Sequence, residues 1–220
     1  MFVSLGDQIV ALLLFSAISG CTPGPNNVML LASGVNFGFR RTIPHIVGVS
    51  IGSPLMVASV ALGVGSLFRA EPRLRDLIEV AGVLYLSWLA WRIAATPVAP
   101  TIGGGARSGG VGRPMGFWTA VGFQWLNVKA WVVAISAVSV YVPESWSAIA
   151  GAGLLFSVMF VTAALATVMW AGFGSLLARF LQDPIRRRLF NLIMAILLML
   201  SLWPAFADIA GWIGLAGGRG

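Results

Sequence analysis

Charge is scarce in this chain, and its scarcity excludes most soluble architectures. Charged residues fill 10% of the 220 positions and hydrophobic residues 58%, whereas a soluble domain carries roughly a quarter charged residues. The surplus apolar surface has no place in water, so the composition implies a membrane protein. Short alternating strands of the outer-membrane type are absent, which favours a helical bundle. Cysteine is nearly missing as well. Cys21 stands alone, which excludes an intrachain disulfide, a two-thiol shuttle and a paired-cysteine metal or redox site. His45 is the sole histidine. Far from acidic residues, it is a poor metal ligand and reads as a hydrogen-bonded interface residue. No glycine-rich phosphate loop occurs, so ATP is not the direct energy source. Nothing in the composition suggests an enzyme, a cofactor, a metal site or a nucleic-acid partner.

What the chain does have is apolar length. Six segments stand out, at about 7–37, 43–68, 77–95, 114–140, 146–172 and 189–212. Crossing a hydrocarbon core takes roughly 20 residues, so each qualifies, and the longer ones require tilt or kinks. "ISGC" at 18–21 looks superficially like a lipoprotein processing site, yet "MFVSLGD" supplies no basic lead. The first run is therefore read as a retained helix. The gaps between segments set the orientation. Nine basic residues fall in odd gaps (Arg40, Arg41, Arg92, Arg107, Arg113, Arg179, Arg186, Arg187, Arg188) and three in even gaps (Arg69, Arg73, Arg75). The even gaps also carry Glu71, Asp76, Glu79 and Glu144. The positive-inside rule puts the odd gaps in the cytoplasm and both termini outside. Trp88, Trp91, Trp118, Trp146 and Trp203 lie near segment ends, as interfacial anchors do.

The stretch "TPVAPTIGGGARSGGVGR" (96–113) is the one low-complexity segment. Its proline and glycine exclude a packed helix. It reads as a cytoplasmic linker inside one transporter domain spanning 1–220, joining a half at about 7–95 to a half at about 114–212. Halves of three helices insert with opposite orientation, so the expected fold is all-α and polytopic: six transmembrane helices in two inverted repeats, the first helix broken. "GVNFG" (34–38) and "GVSIG" (48–52) have small-xxx-small spacing and allow close helix contact within the bundle. Pro54 is expected to bend the second segment.

Two interruptions carry the chemistry. In "CTPGPNN" (21–27), Pro23 and Pro25 lack N–H donors and Gly24 permits unusual dihedrals. A helix from about residue 9 should end near Gly20 and restart near Asn26. Such a break exposes backbone polar groups, tolerable only inside protein or beside a wet cavity. In "FQWLNVKAW" (123–131), Gln124, Asn127 and Lys129 fall midway through the fourth segment. Lys129 is the only lysine. An ammonium so deep marks function or an ion pair, and no Asp or Glu lies in the central part of any segment. The two features occupy matching places in the two halves, a sequence pointer to a substrate site near the midplane. The candidate binding or gating residues are Pro23, Gly24, Pro25, Asn26, Asn27, Gln124, Asn127 and Lys129. In this scheme Lys129 attracts a substrate carboxylate, the asparagines supply hydrogen bonds, and Lys129 exchanges a proton as substrate leaves. The alternatives are a packed kink at Pro-Gly-Pro, and a Lys129 that snorkels or locks helix ends.

At these motifs the chain resembles the LysE/RhtB family of amino-acid exporters. The match runs through "TPGPNNVMLLASGVNFGFRRTIPHIVGVSIG" (22–52), "AGVLYLSWLAWRIAATP" (81–97) and "GFWTAVGFQWLNVKAW" (116–131). Many members have Asn-Pro-Lys in the fourth segment. Val128 replaces that proline here, which makes a continuous fourth helix plausible. The Asn-Val-Lys form looks like the cysteine and O-acetylserine exporter branch. The resemblance implies efflux of a small amino acid or derivative across the bacterial inner membrane, with protons as a candidate coupling ion and lipid as the surrounding partner. It singles out Pro23, Gly24, Pro25, Asn26, Asn127 and Lys129. The competing readings are a channel-like pore, and export of threonine, homoserine, leucine or lysine instead.

Overall fold

The computed structural model describes residues 5–96, 113–143, 145–203 and 205–206. Most of the expected linker, with Arg107 and Ser108, lies outside the described residues, as do Glu144 and 207–220. Among the described residues every regular element is helical.

The order follows the six apolar segments. α1 (Leu5–Cys21) and α2 (Pro25–Phe37) form a pair bent by 54°. α3 (Phe39–Ser59) runs through Pro44 and Pro54 and continues as a π-helical stretch, Val60–Val64, into α4 (Gly65–Ala70). The departure from helical dihedrals comes at Gly63, φ +110°, rather than at Pro54. α5 (Pro72–Ala94) closes the first half. α6 (Phe117–Phe123), a 3₁₀ turn (Gln124–Leu126) and α7 (Val128–Tyr141) form a second pair, bent by 71°. α8 (Ala148–Leu177) and α9 (Pro184–Leu200) follow.

Among the described residues three helices are long and apolar enough to cross a membrane, and up to five spans result if each bent pair counts as one. α9 has 17 residues, about 26 Å at 1.5 Å per residue, slightly short of the ~30 Å core. The rest of the sixth expected segment extends beyond Phe206, outside the described residues.

α8 is the central element. It packs against α1, α2 and α3, while α3 also takes α6 and α7, and α5 pairs with α9. Small residues permit this closeness. A Cβ on Gly34 would strike the Ala171 carbonyl, and one on Gly174 the Leu31 carbonyl, so α2 and α8 touch backbone to backbone. A Cβ on Gly52 would sit 2.8 Å from Val121 Cα, so α6 lies in the groove of "GVSIG". Gly34 of the first small-residue motif and both glycines of the second serve packing within the chain. Gly38, at φ +80°, turns α2 directly into α3 without a loop.

The outside is apolar and the inside partly polar. Leu165, Phe173 and Leu176 on α8 and Leu189, Ile193, Ile196 and Leu200 on α9 are exposed, a surface suited to lipid. Inside, hydroxyls and amides pair across helices. Ser50 and Thr167 lie 2.9 Å apart, and Asn36 donates to Asn191 at 2.8 Å.

Candidate functional site

Two helices end inside the bundle, and their ends meet. The end of α1 would leave carbonyls without intrahelical partners, which a membrane interior does not tolerate. Side chains from three other helices satisfy them. Asn27, in the first turn of α2, donates through Nδ2 to the carbonyls of Gly20 at 2.8 Å and Thr22 at 2.7 Å. Trp170 of α8 donates through Nε1 to Gly20 at 3.0 Å. Lys129 of α7 donates through Nζ to the carbonyls of Ser19 and Thr22, each at 3.1 Å, and to the Thr22 hydroxyl at 2.8 Å. The Pro23 carbonyl lies further off, at 3.5 Å.

Lys129 thus sits where the first break needs a cation. An ammonium has three protons, and three close oxygens are present. The negative end of the α1 dipole favours the same placement. Gly24 makes room for it: a Cβ there would lie 2.9 Å from Lys129 Cδ and 3.1 Å from Nζ. Its φ of −175° is ordinary extended backbone, so the glycine is needed for space rather than for conformation. Pro25 opens α2, where a missing N–H costs nothing.

The second break forms although Val128 stands where proline was expected to be needed. Asn127 adopts extended dihedrals (φ −93°, ψ 101°) between the 3₁₀ turn and α7. The fourth helix is therefore broken, although the absence of proline made a continuous one plausible. Tertiary contacts hold the turn in place of a proline. Gly82 of α5 lets the Leu126 carbonyl approach its backbone, and Gln124, fully buried, exchanges amide hydrogen bonds with Asn26. Asn26 Nδ2 donates to Gln124 Oε1 at 2.8 Å, and Gln124 Nε2 donates to Asn26 Oδ1 at 3.3 Å and to the Ala120 carbonyl at 2.8 Å.

All eight residues expected from sequence therefore lie at or beside the meeting of the breaks. A cavity of about 90 Å³ opens there, with Gly24, Pro25, Asn26, Asn27, Asn127 and Lys129 in its wall. That is room for a few waters, and its walls are polar enough to hold them. Pro23 and Gln124 stand behind this wall. Asn127 is 3% exposed, and its Oδ1 has no hydrogen-bond partner among the described residues.

Sequence reasoning missed several contributors. Ser16, Ser19 and Thr162 also line the cavity, and Trp170 of α8 caps the Gly20 carbonyl behind it. Their signal was faint, since serine, threonine and tryptophan are common in membrane helices. Two further expectations need correction. His45 is buried, and neither ring nitrogen has a hydrogen-bond partner among the described residues, so it is not the hydrogen-bonded interface residue expected. Glu79, assigned to the second gap, is buried within α5 and lines a separate cavity beside α7. No group of three or more metal-ligating residues occurs among the described residues.

Curated relatives include the cysteine/O-acetylserine efflux protein of Salmonella typhimurium, 33% identical over 189 residues, covering 84% of this chain and 90% of that protein. The protein of the same name from Escherichia coli strain K12 is 30% identical over the same length. No solved structure matches the chain. The profile of the LysE type translocators matches residues 17–202, from the end of α1 to beyond α9, and the chain belongs to that family.

Proposed function

We propose that the protein is a secondary exporter of a small amino acid or derivative, of the cysteine and O-acetylserine kind named for its relatives, and that substrate binds where the two breaks meet. The meeting of two broken helices across one polar cavity carries this reading. The first turns of α2 and α7 both line the cavity, and helix N-termini favour a carboxylate. Lys129 adds the positive charge.

The ammonium is fully engaged by the end of α1. A substrate carboxylate binds it by displacing one or more of those oxygens, which releases the α1 end from α7. In this mechanism binding and opening are one event, and Lys129 is at once lock and receptor.

Inverted repeats supply the two states. If α1, α2, α3 and α5 correspond to α6, α7, α8 and α9, the principal helix pairs map onto one another. α1 with α8 matches α6 with α3, and α2 with α8 matches α7 with α3. The pairs α3–α8 and α5–α9 map onto themselves. This pattern supports a pseudo-two-fold axis relating the two halves, and the arginine-rich odd gaps support external termini.

The deciding experiment is export from proteoliposomes. Labelled cysteine, O-acetylserine, threonine, homoserine, leucine and lysine are compared, with internal pH recorded. Saturable export of the first two, with proton movement in the opposite direction, is expected. Unitary currents would indicate a pore, and lysine selectivity would overturn the substrate assignment.

A further inference from the structure

A second, larger cavity lies at the other end of α2. It has a volume of about 350 Å³ and sits between the end of α2, the start of α3, the end of α5 and the start of α6. These are the ends adjoining the first and third gaps, where the positive-inside rule places the cytoplasm. Arg92 and Arg113 line it, and among the described residues no Asp or Glu does. Neither guanidinium pairs with a carboxylate among the described residues. Arg92 instead lies over the Trp88 ring, 4.8 Å from its centroid. His45 also lines the cavity, only 1% exposed, with both nitrogens lacking partners among the described residues. Asn36 and Tyr85 contribute further polar groups, set among aliphatic side chains.

We infer that this cavity is a loading site that takes a zwitterionic small amino acid before it reaches the break. The inference rests on the exporter reading above. Two unpaired guanidiniums supply a fork for a carboxylate. A neutral imidazole has one donor and one acceptor nitrogen, so His45 can accept a hydrogen bond from the substrate ammonium. The mixed wall suits a short side chain with one polar group. With no acidic residue to balance a second positive charge, the cavity rejects lysine. Substrate selection by charge is thus made here, ahead of the narrower cavity at Lys129.

Site-directed protection tests this. Thr119, exposed at the cavity wall, is changed to cysteine in a Cys21→Ser background and reconstituted in phosphatidylcholine. Modification by a methanethiosulfonate reagent is followed with O-acetylserine or lysine present, and transport is measured in the same vesicles. O-acetylserine should slow modification several-fold, and lysine should not. Arg92→Gln with Arg113→Gln should raise the half-protecting concentration about tenfold, the effect of losing ~1.4 kcal/mol. If the double variant does not accumulate, Arg113→Gln alone, at an exposed position, should give a smaller rise in the same direction. Transport without protection overturns the loading site and leaves the exporter standing. Loss of both overturns the exporter reading and the loading site with it. Protection that needs phosphatidylglycerol and ignores O-acetylserine makes the cavity a lipid headgroup site and also overturns the inference.

Discussion

Lys129 and Thr22 are joined twice. Nζ donates to the Thr22 hydroxyl at 2.8 Å and to its carbonyl oxygen at 3.1 Å, tying the start of α7 to the end of α1. Hydrogen bonds between membrane helices are worth about 0.6–1.7 kcal/mol. Thr22→Val removes the hydroxyl and keeps the carbonyl, so it weakens the lock without abolishing it. Transport in proteoliposomes should change about 3- to 18-fold, the range those energies imply. Lys129→Met removes every donor. It should insert normally, by surface labelling, and lose export. Lys129→Arg should not restore it, because a planar fork cannot converge on three oxygens as an ammonium does. Proton exchange by Lys129→Met at the wild-type rate would reduce the residue to a structural role.

Gly24 offers an independent test of the same contact. Its extended dihedrals suit alanine, so any cost of Gly24→Ala comes from the collision with Lys129. The single variant should lose transport much as Lys129→Ala does. The double variant should be no worse than Lys129→Ala alone, since the short side chain removes the collision. Coupling of about 0.5–3 kcal/mol is expected for residues in contact. Additive losses would mean that Gly24 acts elsewhere.

The amide pair Asn26–Gln124 separates positioning from contact. Asn26 lines the cavity and Gln124 does not. Gln124→Leu leaves the Asn26 amide without its partner and should weaken apparent substrate affinity at unchanged protein abundance. The exchange Asn26→Gln with Gln124→Asn restores the donor and acceptor set and should recover part of it. Binding isotherms for the three variants provide the measurement.

How far these contacts were legible in the sequence depends on their cause. Pro23 and Pro25 announce a break because proline removes donors wherever it sits. The bend at Asn127 has no such local cause. It depends on Gly82 admitting the Leu126 carbonyl and on Gln124 reaching Asn26, 98 positions away. No pattern within the fourth segment encodes either contact. Lys129 was recognisable as an anomaly by its depth alone. Apart from the Thr22 hydroxyl, its partners are carbonyl oxygens 106 to 110 residues earlier, and carbonyls leave no mark in a sequence. Glu79 was misplaced because charge next to other charges reads as loop. Only the fold shows that α5 begins at Pro72 and buries it.

Orientation is open to direct measurement. In a Cys21→Ser background, Ser145→Cys and Ser108→Cys place single thiols in the fourth gap and the central linker. An impermeant reagent on intact cells should label Ser145→Cys and spare Ser108→Cys. The reverse result would invert the bundle, and with it the assignment of the arginine-lined cavity to the cytoplasmic side.

Asn127 gives the sharpest test of how substrate is held. Its Oδ1 is buried without a partner among the described residues, and although Asn127 occupies the N-cap of α7, its side chain accepts no bond there. Leaving a buried acceptor unsatisfied costs about 1–3 kcal/mol. A substrate ammonium in the cavity relieves that cost while its carboxylate engages Lys129. Asn127→Ala removes the acceptor, and apparent affinity for O-acetylserine should fall by about 5- to 150-fold, the factor those energies imply. N-acetylserine has a carboxylate and no ammonium. The wild type should bind it weakly, and Asn127→Ala should bind it no worse. Asn127→Asp supplies a stronger acceptor close to Lys129, but its charge repels the substrate carboxylate, so it should not rescue binding. Equal losses for both compounds in Asn127→Ala would show that the side chain shapes the break and does not read the ammonium.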